Sequence, residues 1–128
     1  MNATKDLLVF TCDYPNPPAD ITLLRRSCEL QDINLATYGE GDWPGYALGK
    51  IVAAREFLLA REEPFAMFVD GRDSLILDKA DHILDQYQRI GSQIVIAGEK
   101  TCWPDANLGT HYPFPRPPFH NSPWRYVN

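Results

Sequence analysis

The sequence predicts an α/β domain in which a mostly parallel, Rossmann-like sheet is flanked by helices. Short apolar runs typical of buried strands alternate with segments of helical periodicity through most of the 128 residues. The connections are short, and a parallel strand–helix–strand unit is almost always right-handed. Such alternation covers both faces of one sheet with helices.

The first strand is predicted at residues 7–11, because the run Leu-Leu-Val-Phe-Thr is apolar with β-branched and aromatic members. A proline-rich turn follows and ends this strand. The first helix is predicted at residues 19–30, since Ile21, Leu24 and Cys28 recur at helical spacing. These elements form the first strand–helix unit.

The second unit repeats this order. Residues 33–38 alternate apolar and polar side chains, which predicts a strand, and a loop rich in glycine, proline and acid follows at 39–45. Strong helix formers over residues 47–61 predict the second helix, which cannot continue through Pro64.

The third unit begins with an apolar strand predicted at residues 65–69. Asp78 can cap a third helix, and Gly91 is a suitable residue to end it. The apolar run at residues 93–97 then predicts a fourth strand.

The character of the chain changes near its end. Six of the eleven prolines fall between Pro104 and Pro123, interleaved with aromatic residues, which excludes a regular helix. No further element follows, and we expect that the sequence is truncated at its C-terminus. We therefore expect a single domain over residues 1–128, with an α/β core at 1–100 and an irregular tail at 101–128.

Composition limits the possible partners. With 45% hydrophobic residues in 128, the chain can bury one real core but not two. The net charge of -5 argues against a nucleic-acid partner, because such proteins need a basic face that releases counterions from phosphates.

Cysteine usage and the N-terminal sequence predict the compartment. The three cysteines are widely spaced and form no metal-binding pattern, so they read as reduced thiols. The N-terminus lacks the features of a signal peptide, and no apolar run approaches the roughly 20 residues that span a bilayer. We expect a cytoplasmic protein that does not contact membranes.

Two carboxylates follow the third predicted strand. Asp70 and Asp73 come directly after an apolar run, with Gly71 allowing a sharp turn between them. Ligands of open α/β sheets bind beyond the carboxyl ends of the strands, and carboxylate oxygens suit Mn²⁺ or Mg²⁺. The alternative is an ordinary turn at Asp70 with Asp73 solvated or capping.

Three further residues are predicted at the same edge of the sheet. Trp43 follows the second strand and can stack on a base, or can simply cover the sheet edge. Thr11 and Asp13 end the first strand, where they can contact a base or ribose. Asp13 can instead begin the following turn through its own side chain.

Two charged residues complete the candidate set. Lys50, at the start of the second helix, can approach a diphosphate or can lie on a solvated helix face. Glu99 follows the fourth predicted strand and can support the metal side, or can pair locally near Lys100. No residue is assigned as the catalytic base or nucleophile.

Other functional classes lack their motifs. The histidines have no His-Glu-x-x-His spacing, and the chain has no Gly-x-Ser-x-Gly elbow, Gly-x-Gly-x-x-Gly turn or Walker lysine motif. A phosphohydrolase of the haloacid-dehalogenase kind remains an alternative. The strand end Thr11-Cys12-Asp13 lacks the pair of aspartates that such enzymes need there.

In their order along the chain, several segments resemble the glycosyltransferase domain of the procollagen lysyl hydroxylases, and the resemblance covers nearly the whole sequence. These segments are 7–11, Trp43 with the glycine that follows it, Gly49-Lys50-Ile51-Val52, the Phe-Val-Asp-Gly-Arg-Asp run at 68–73, Ala97-Gly98-Glu99, Cys102-Trp103-Pro104, Tyr112-Pro113 and Arg125-Tyr126-Val127-Asn128.

The resemblance implies a GT-A fold and transfer of galactose or glucose from a UDP-sugar to a hydroxylysine-type hydroxyl acceptor, with manganese. By this resemblance Asp70 and Asp73 hold the metal and the donor diphosphate. Trp43 packs against uracil, and Thr11 lies where the first strand meets the nucleotide. The metal neutralises charge on the departing diphosphate.

The chain departs from the family pattern in three places. Arg72 replaces an aromatic residue that helps to sandwich the base, so guanidinium stacking is expected there. The loop between Trp43 and Lys50 is short and lacks a glycine run. The family continues past Asn128 into its acceptor half. A non-catalytic nucleotide-sugar-binding or interaction fragment is therefore the alternative to an active transferase.

Overall fold

The computed structural model describes residues 3–102, 105–114 and 121–127. These residues form two compact units, one ending at Arg89 and the other beginning at Ile90. None of the described helices is both long enough and apolar enough to cross a membrane.

A three-stranded parallel sheet organises the first unit. Strand β1 (Leu7–Cys12) lies between β2 (Leu35–Tyr38) and β3 (Phe65–Phe68). The register places Val9 of β1 opposite Leu35 of β2 and Met67 of β3. Because β1 is paired on both edges and covered on both faces, it has the continuous apolar sequence of a buried parallel strand.

Helices cover both faces of this sheet. Helix α1 (Ala3–Asp6) precedes β1, α2 (Thr22–Leu30) joins β1 to β2, and α4 (Ala80–Ile90) follows β3. Leu24 of α2 and Leu84 of α4 pack on one face, and Ala54 of α3 packs on the other with Leu8 and Phe10. The predicted α/β, Rossmann-like GT-A class is confirmed.

The second predicted helix consists of two parts. Ala47–Val52 is π-helical and continues directly into α3 (Ala53–Leu59). The amide of Ala53 donates to the carbonyl of Leu48, five residues earlier, which is the π-helical pattern. Sequence periodicity did not distinguish this wider turn from an α-helix.

The second unit contains a small antiparallel pair and a 3-10 helix. Strand β4 (Gly98–Glu99) pairs with β5 (Tyr126–Val127), and the 3-10 helix spans Ala106–His111. The described part of the predicted irregular tail is therefore partly regular. Residues 103–104, 115–120 and 128 of that tail lie outside the described residues.

The fourth strand predicted at residues 93–97 is wrong. These residues form no strand, and the side chains of Ile94 and Ile96 are 75% and 57% exposed. An apolar run becomes a strand only where a neighbouring strand pairs with its amides and carbonyls, and composition does not supply that partner. Glu99 follows no predicted strand and instead lies within β4.

Candidate functional site

The candidate site lies at the carboxyl ends of the three parallel strands. The amide of Asp13 donates to the carbonyl of Tyr38 over 2.8 Å, and the amide of Val69 donates to Phe10 over 3.0 Å. These bonds extend the strand pairing beyond the strands. They fix the backbone just before Asp70, so the edge of the sheet carries acidic residues on a rigid support.

A cation already lies on one of the predicted metal ligands. The ammonium of Lys50 forms an ion pair with Oδ2 of Asp70. Their side chains are 26% and 45% exposed, so the pair lies at the surface of the site and remains open to solvent on one side. The geometry shows that the Asp70 carboxylate points to a position where positive charge is held.

Gly71 is required by close packing directly after Asp70. A Cβ at this position would lie 2.7 Å from Cγ2 of Ile21 and 3.1 Å from Oγ1 of Thr11. Any larger residue would push the turn away from the sheet. The glycine therefore keeps Asp70 close to the end of β1.

Thr11 lies beneath this turn. Its side chain is fully buried, and its hydroxyl has no hydrogen-bond partner in the described structure. The hydroxyl contact with a ligand that the sequence suggested therefore does not match its position below Gly71. Thr11 instead supports the turn from below.

Arg72 and Asp73 follow Gly71 on the surface of the turn, and both are exposed. Among the described residues, no group of three or more His, Cys, Asp or Glu side chains is arranged to hold a metal ion. Mg²⁺ is commonly bound by one or two carboxylates, with water and substrate phosphates completing the shell. Asp70 and Asp73 fit that kind of shared site, and they do not form a cage on their own.

Trp43 packs within an aromatic cluster that also contains Tyr14 and Tyr46. Its ring centroid lies 5.1 Å from that of Tyr14 and 5.7 Å from that of Tyr46, both edge-to-face. A Cβ added to Gly49 would lie 2.3 Å from Cζ3 of the indole, so the glycine backbone covers part of the ring. Trp43 thus anchors its loop to the π-helical segment.

Sequence reasoning missed two groups beside Lys50. Tyr46 is 73% exposed, and the ammonium of Lys50 lies 5.5 Å from its ring centroid. Cys12 ends β1, where burial raises the pKa of its thiol, and the nearby Lys50 opposes that rise. An aromatic residue next to the loop glycine Gly45 was the available signal for Tyr46.

Glu99 belongs to the second unit. It is half-buried in β4, and its carbonyl accepts a hydrogen bond from the amide of Arg125 over 3.0 Å. The guanidinium of Arg125 donates to the carbonyls of Gly109 and Tyr112 over 3.1 and 2.7 Å. Within this unit the structure gives Glu99 a place in the β4–β5 pairing.

A model of a known family matches almost the whole chain. The family is described as the PLOD GT domain, and the match covers residues 3–123. This chain belongs to the PLOD GT domain family. The membership confirms the resemblance to the glycosyltransferase domain of the lysyl hydroxylases, and it gives the phosphohydrolase alternative no support.

Individual relatives of this PLOD GT domain are more distant. The chain is 27% identical over 99 residues to the multifunctional procollagen lysine hydroxylase and glycosyltransferase LH3 of Homo sapiens and of Pongo abelii. It is 26% identical over 99 residues to the protein of the same name from Rattus norvegicus. Each alignment covers 69% of this chain and 13% of the relative.

Proposed function

We propose that this PLOD GT domain binds a UDP-sugar at the carboxyl edge of its parallel sheet and transfers the hexose to a hydroxyl acceptor, with Mn²⁺ or Mg²⁺. The observation that carries the proposal is the Lys50–Asp70 ion pair at that edge. It supplies a carboxylate and a cation side by side where open α/β sheets bind their ligands.

The donor atoms available at the edge suit a divalent ion shared with a diphosphate. Asp70 and Asp73 would hold the ion, and the oxygens of the diphosphate and water would complete its shell. Bound there, the ion would stabilise the negative charge of the departing nucleoside diphosphate. The ammonium on Asp70 supports this assignment, because it shows that the carboxylate faces a position favourable for positive charge.

The other residues are assigned by their position around this pair. Lys50 would pair with the diphosphate once Asp70 holds the metal, since both partners are partly open to solvent. Asp13 follows β1 at the same edge and would contact the ribose. Arg72, exposed on the turn between the two aspartates, can reach a bound nucleotide from the solvent side.

The acceptor is proposed from the relatives alone. Their printed name joins procollagen lysine hydroxylase and glycosyltransferase activities, which favours a hydroxylysine-type hydroxyl as the acceptor. The chain matches 13% of their length, so transfer is proposed for the domain in its native context.

Donor binding is tested by isothermal titration of UDP with and without Mn²⁺, on the wild-type chain and on Asp70→Asn and Asp73→Asn. We expect binding that needs the metal and that falls at least about tenfold in each variant, as loss of one charged contact predicts. Asp32→Asn is the matched control. Asp32 is exposed with φ 57°, a conformation that asparagine also adopts readily. Metal-independent binding, or equal affinity in all four proteins, would contradict the proposal.

Transfer is tested separately from binding. The release of UDP from UDP-glucose and from UDP-galactose is measured with and without a peptide that contains hydroxylysine. Acceptor-dependent release supports a transferase. Metal-dependent UDP binding without release would favour the non-catalytic nucleotide-sugar-binding alternative.

A further inference from the structure

The aromatic residue that is free to meet a ligand near Lys50 is Tyr46, and not Trp43. Tyr46 is 73% exposed, whereas Trp43 is half-buried among Tyr14, Tyr46 and Gly49. The Gly49 backbone is so close to the indole that an added Cβ would lie 2.3 to 2.9 Å from three of its ring atoms. Part of the indole is thus already occupied by protein.

The backbone holds Tyr46 in a fixed position relative to Lys50. Tyr46 has helical angles of φ -59° and ψ -48° and directly precedes the π-helical segment Ala47–Val52. Residues four apart on a helical segment lie on the same face, which brings the two side chains together. The ammonium of Lys50 lies 5.5 Å from the Tyr46 ring, within the range of a cation–π contact.

These contacts place three chemical groups in a row. The Tyr46 ring contacts the Lys50 ammonium, and the ammonium contacts the Asp70 carboxylate. A nucleoside diphosphate with a divalent ion presents a base, a diphosphate and a cation in the same order. An exposed aromatic ring is the group that binds a base by stacking, and the contribution does not depend on which base it is.

We propose that Tyr46 is the side chain on which the base of the nucleotide donor stacks, with Trp43 fixing the Tyr46 ring from behind. The inference rests on the proposed donor site, and it adds the residue that binds the base. Because stacking alone discriminates poorly among bases, the domain is expected to accept the purine diphosphate GDP nearly as well as UDP.

The experiment compares UDP with inorganic diphosphate, both titrated in the presence of Mn²⁺, on wild type, Tyr46→Ala and Tyr46→Phe. Loss of stacking predicts that Tyr46→Ala weakens UDP binding about 5- to 100-fold. Inorganic diphosphate has no base, so its affinity should change less than twofold. Tyr46→Phe keeps the ring and should retain UDP binding within about twofold.

Leu48→Ala is the matched control, because Leu48 is 56% exposed and lies on the same π-helical segment. It should bind both ligands as wild type does, and circular dichroism should show that all variants remain folded. An equal loss for UDP and diphosphate in Tyr46→Ala would overturn the inference. A loss in Arg72→Ala with none in Tyr46→Ala would also overturn it, since the base would then stack on the guanidinium.

Failure of the proposed function gives a different result. If wild type binds neither UDP nor diphosphate with Mn²⁺, both the donor site and the role of Tyr46 are overturned. If wild type binds UDP through Asp70 and Tyr46→Ala binds it equally well, only the role of Tyr46 is overturned.

Discussion

Lys50 and Asp70 are 20 residues apart in the sequence, and the ammonium of one lies on the carboxylate of the other. Lys50 belongs to the connection between β2 and β3, and Asp70 follows β3. The pair therefore joins the two ends of one crossover at the carboxyl edge of the sheet. A divalent ion that binds Asp70 must compete with this ammonium.

Replacement of Lys50 tests this competition. Lys50→Gln should strengthen Mn²⁺ binding about two- to fivefold without nucleotide, as the small free energy of a partly exposed ion pair predicts. The same variant should weaken UDP binding, because the diphosphate loses a cation. Mn²⁺ binding is followed by isothermal titration, with the exposed Lys79→Gln as control. Weaker metal binding in Lys50→Gln would show that the two cations do not compete.

The buried hydroxyl of Thr11 should be dispensable for stability. Thr11→Val replaces an unpartnered hydroxyl with a methyl group of similar size, so the free energy of unfolding should stay equal or rise by about 1 kcal/mol. Urea denaturation measures the difference, and Thr37→Val is the control, since Thr37 pairs opposite Thr11 in β2 and is exposed. A clear loss of stability in Thr11→Val alone would reveal a partner for the hydroxyl.

Gly49→Ala tests the contact that fixes Trp43. Alanine normally stabilises a helical position by up to about 1 kcal/mol relative to glycine. Here the new Cβ would lie 2.3 Å from the indole, and overpacking of this kind costs about 1–3 kcal/mol, so we expect net destabilisation. Thermal unfolding of Gly49→Ala, Trp43→Leu and the double variant measures the coupling. The penalty of alanine should vanish when the indole is absent, and an additive result would refute the contact.

Stability should fall at alkaline pH. Burial raises the pKa of the Cys28 thiol and of the Tyr38 phenol above their ordinary values of 9.0 and 10.0. Once the pH exceeds those ordinary values, the unfolded chain loses protons that the folded chain keeps. The free energy of unfolding therefore declines as the pH rises further.

Tyr38→Phe isolates one of these two groups. Denaturant unfolding between pH 7 and about pH 11 should show a shallower decline above about pH 10 in Tyr38→Phe than in wild type. Below about pH 8 the two proteins should differ by a constant amount, which serves as the internal control. Parallel curves over the whole range would mean that Tyr38 ionises equally in both states.

Much of the first unit was predictable because its elements are built from local signals. The continuous apolar run of β1 reflects a strand buried on both faces, and the spacing of Leu24 and Cys28 marks the buried face of α2. Gly91 follows α4 with φ 69°, as its sequence position predicted. These signals lie within a few residues of the structures they specify.

Other features depend on partners distant in the sequence and were missed or misread. The π-helical turn at Ala47–Val52 is linked to the packing of Gly49 on Trp43, which no periodicity reveals. Residues 93–97 have strand composition without a pairing strand. The metal and donor assignments for Asp70 and Asp73 remain predictions, although the ion pair now shows how one of those carboxylates is oriented.

The π-helical turn also bears on how this domain tolerates change in its loop. A π-helix contains one more residue in each hydrogen-bonded ring than an α-helix does. Removing one residue within Ala47–Val52 would therefore turn the preceding chain by about 100° about the helix axis and leave α3 seated on the sheet. A single insertion or deletion at this position can thus reorient the loop that carries Trp43 and Tyr46 without disturbing the core, which gives this fold a cheap way to diversify during evolution.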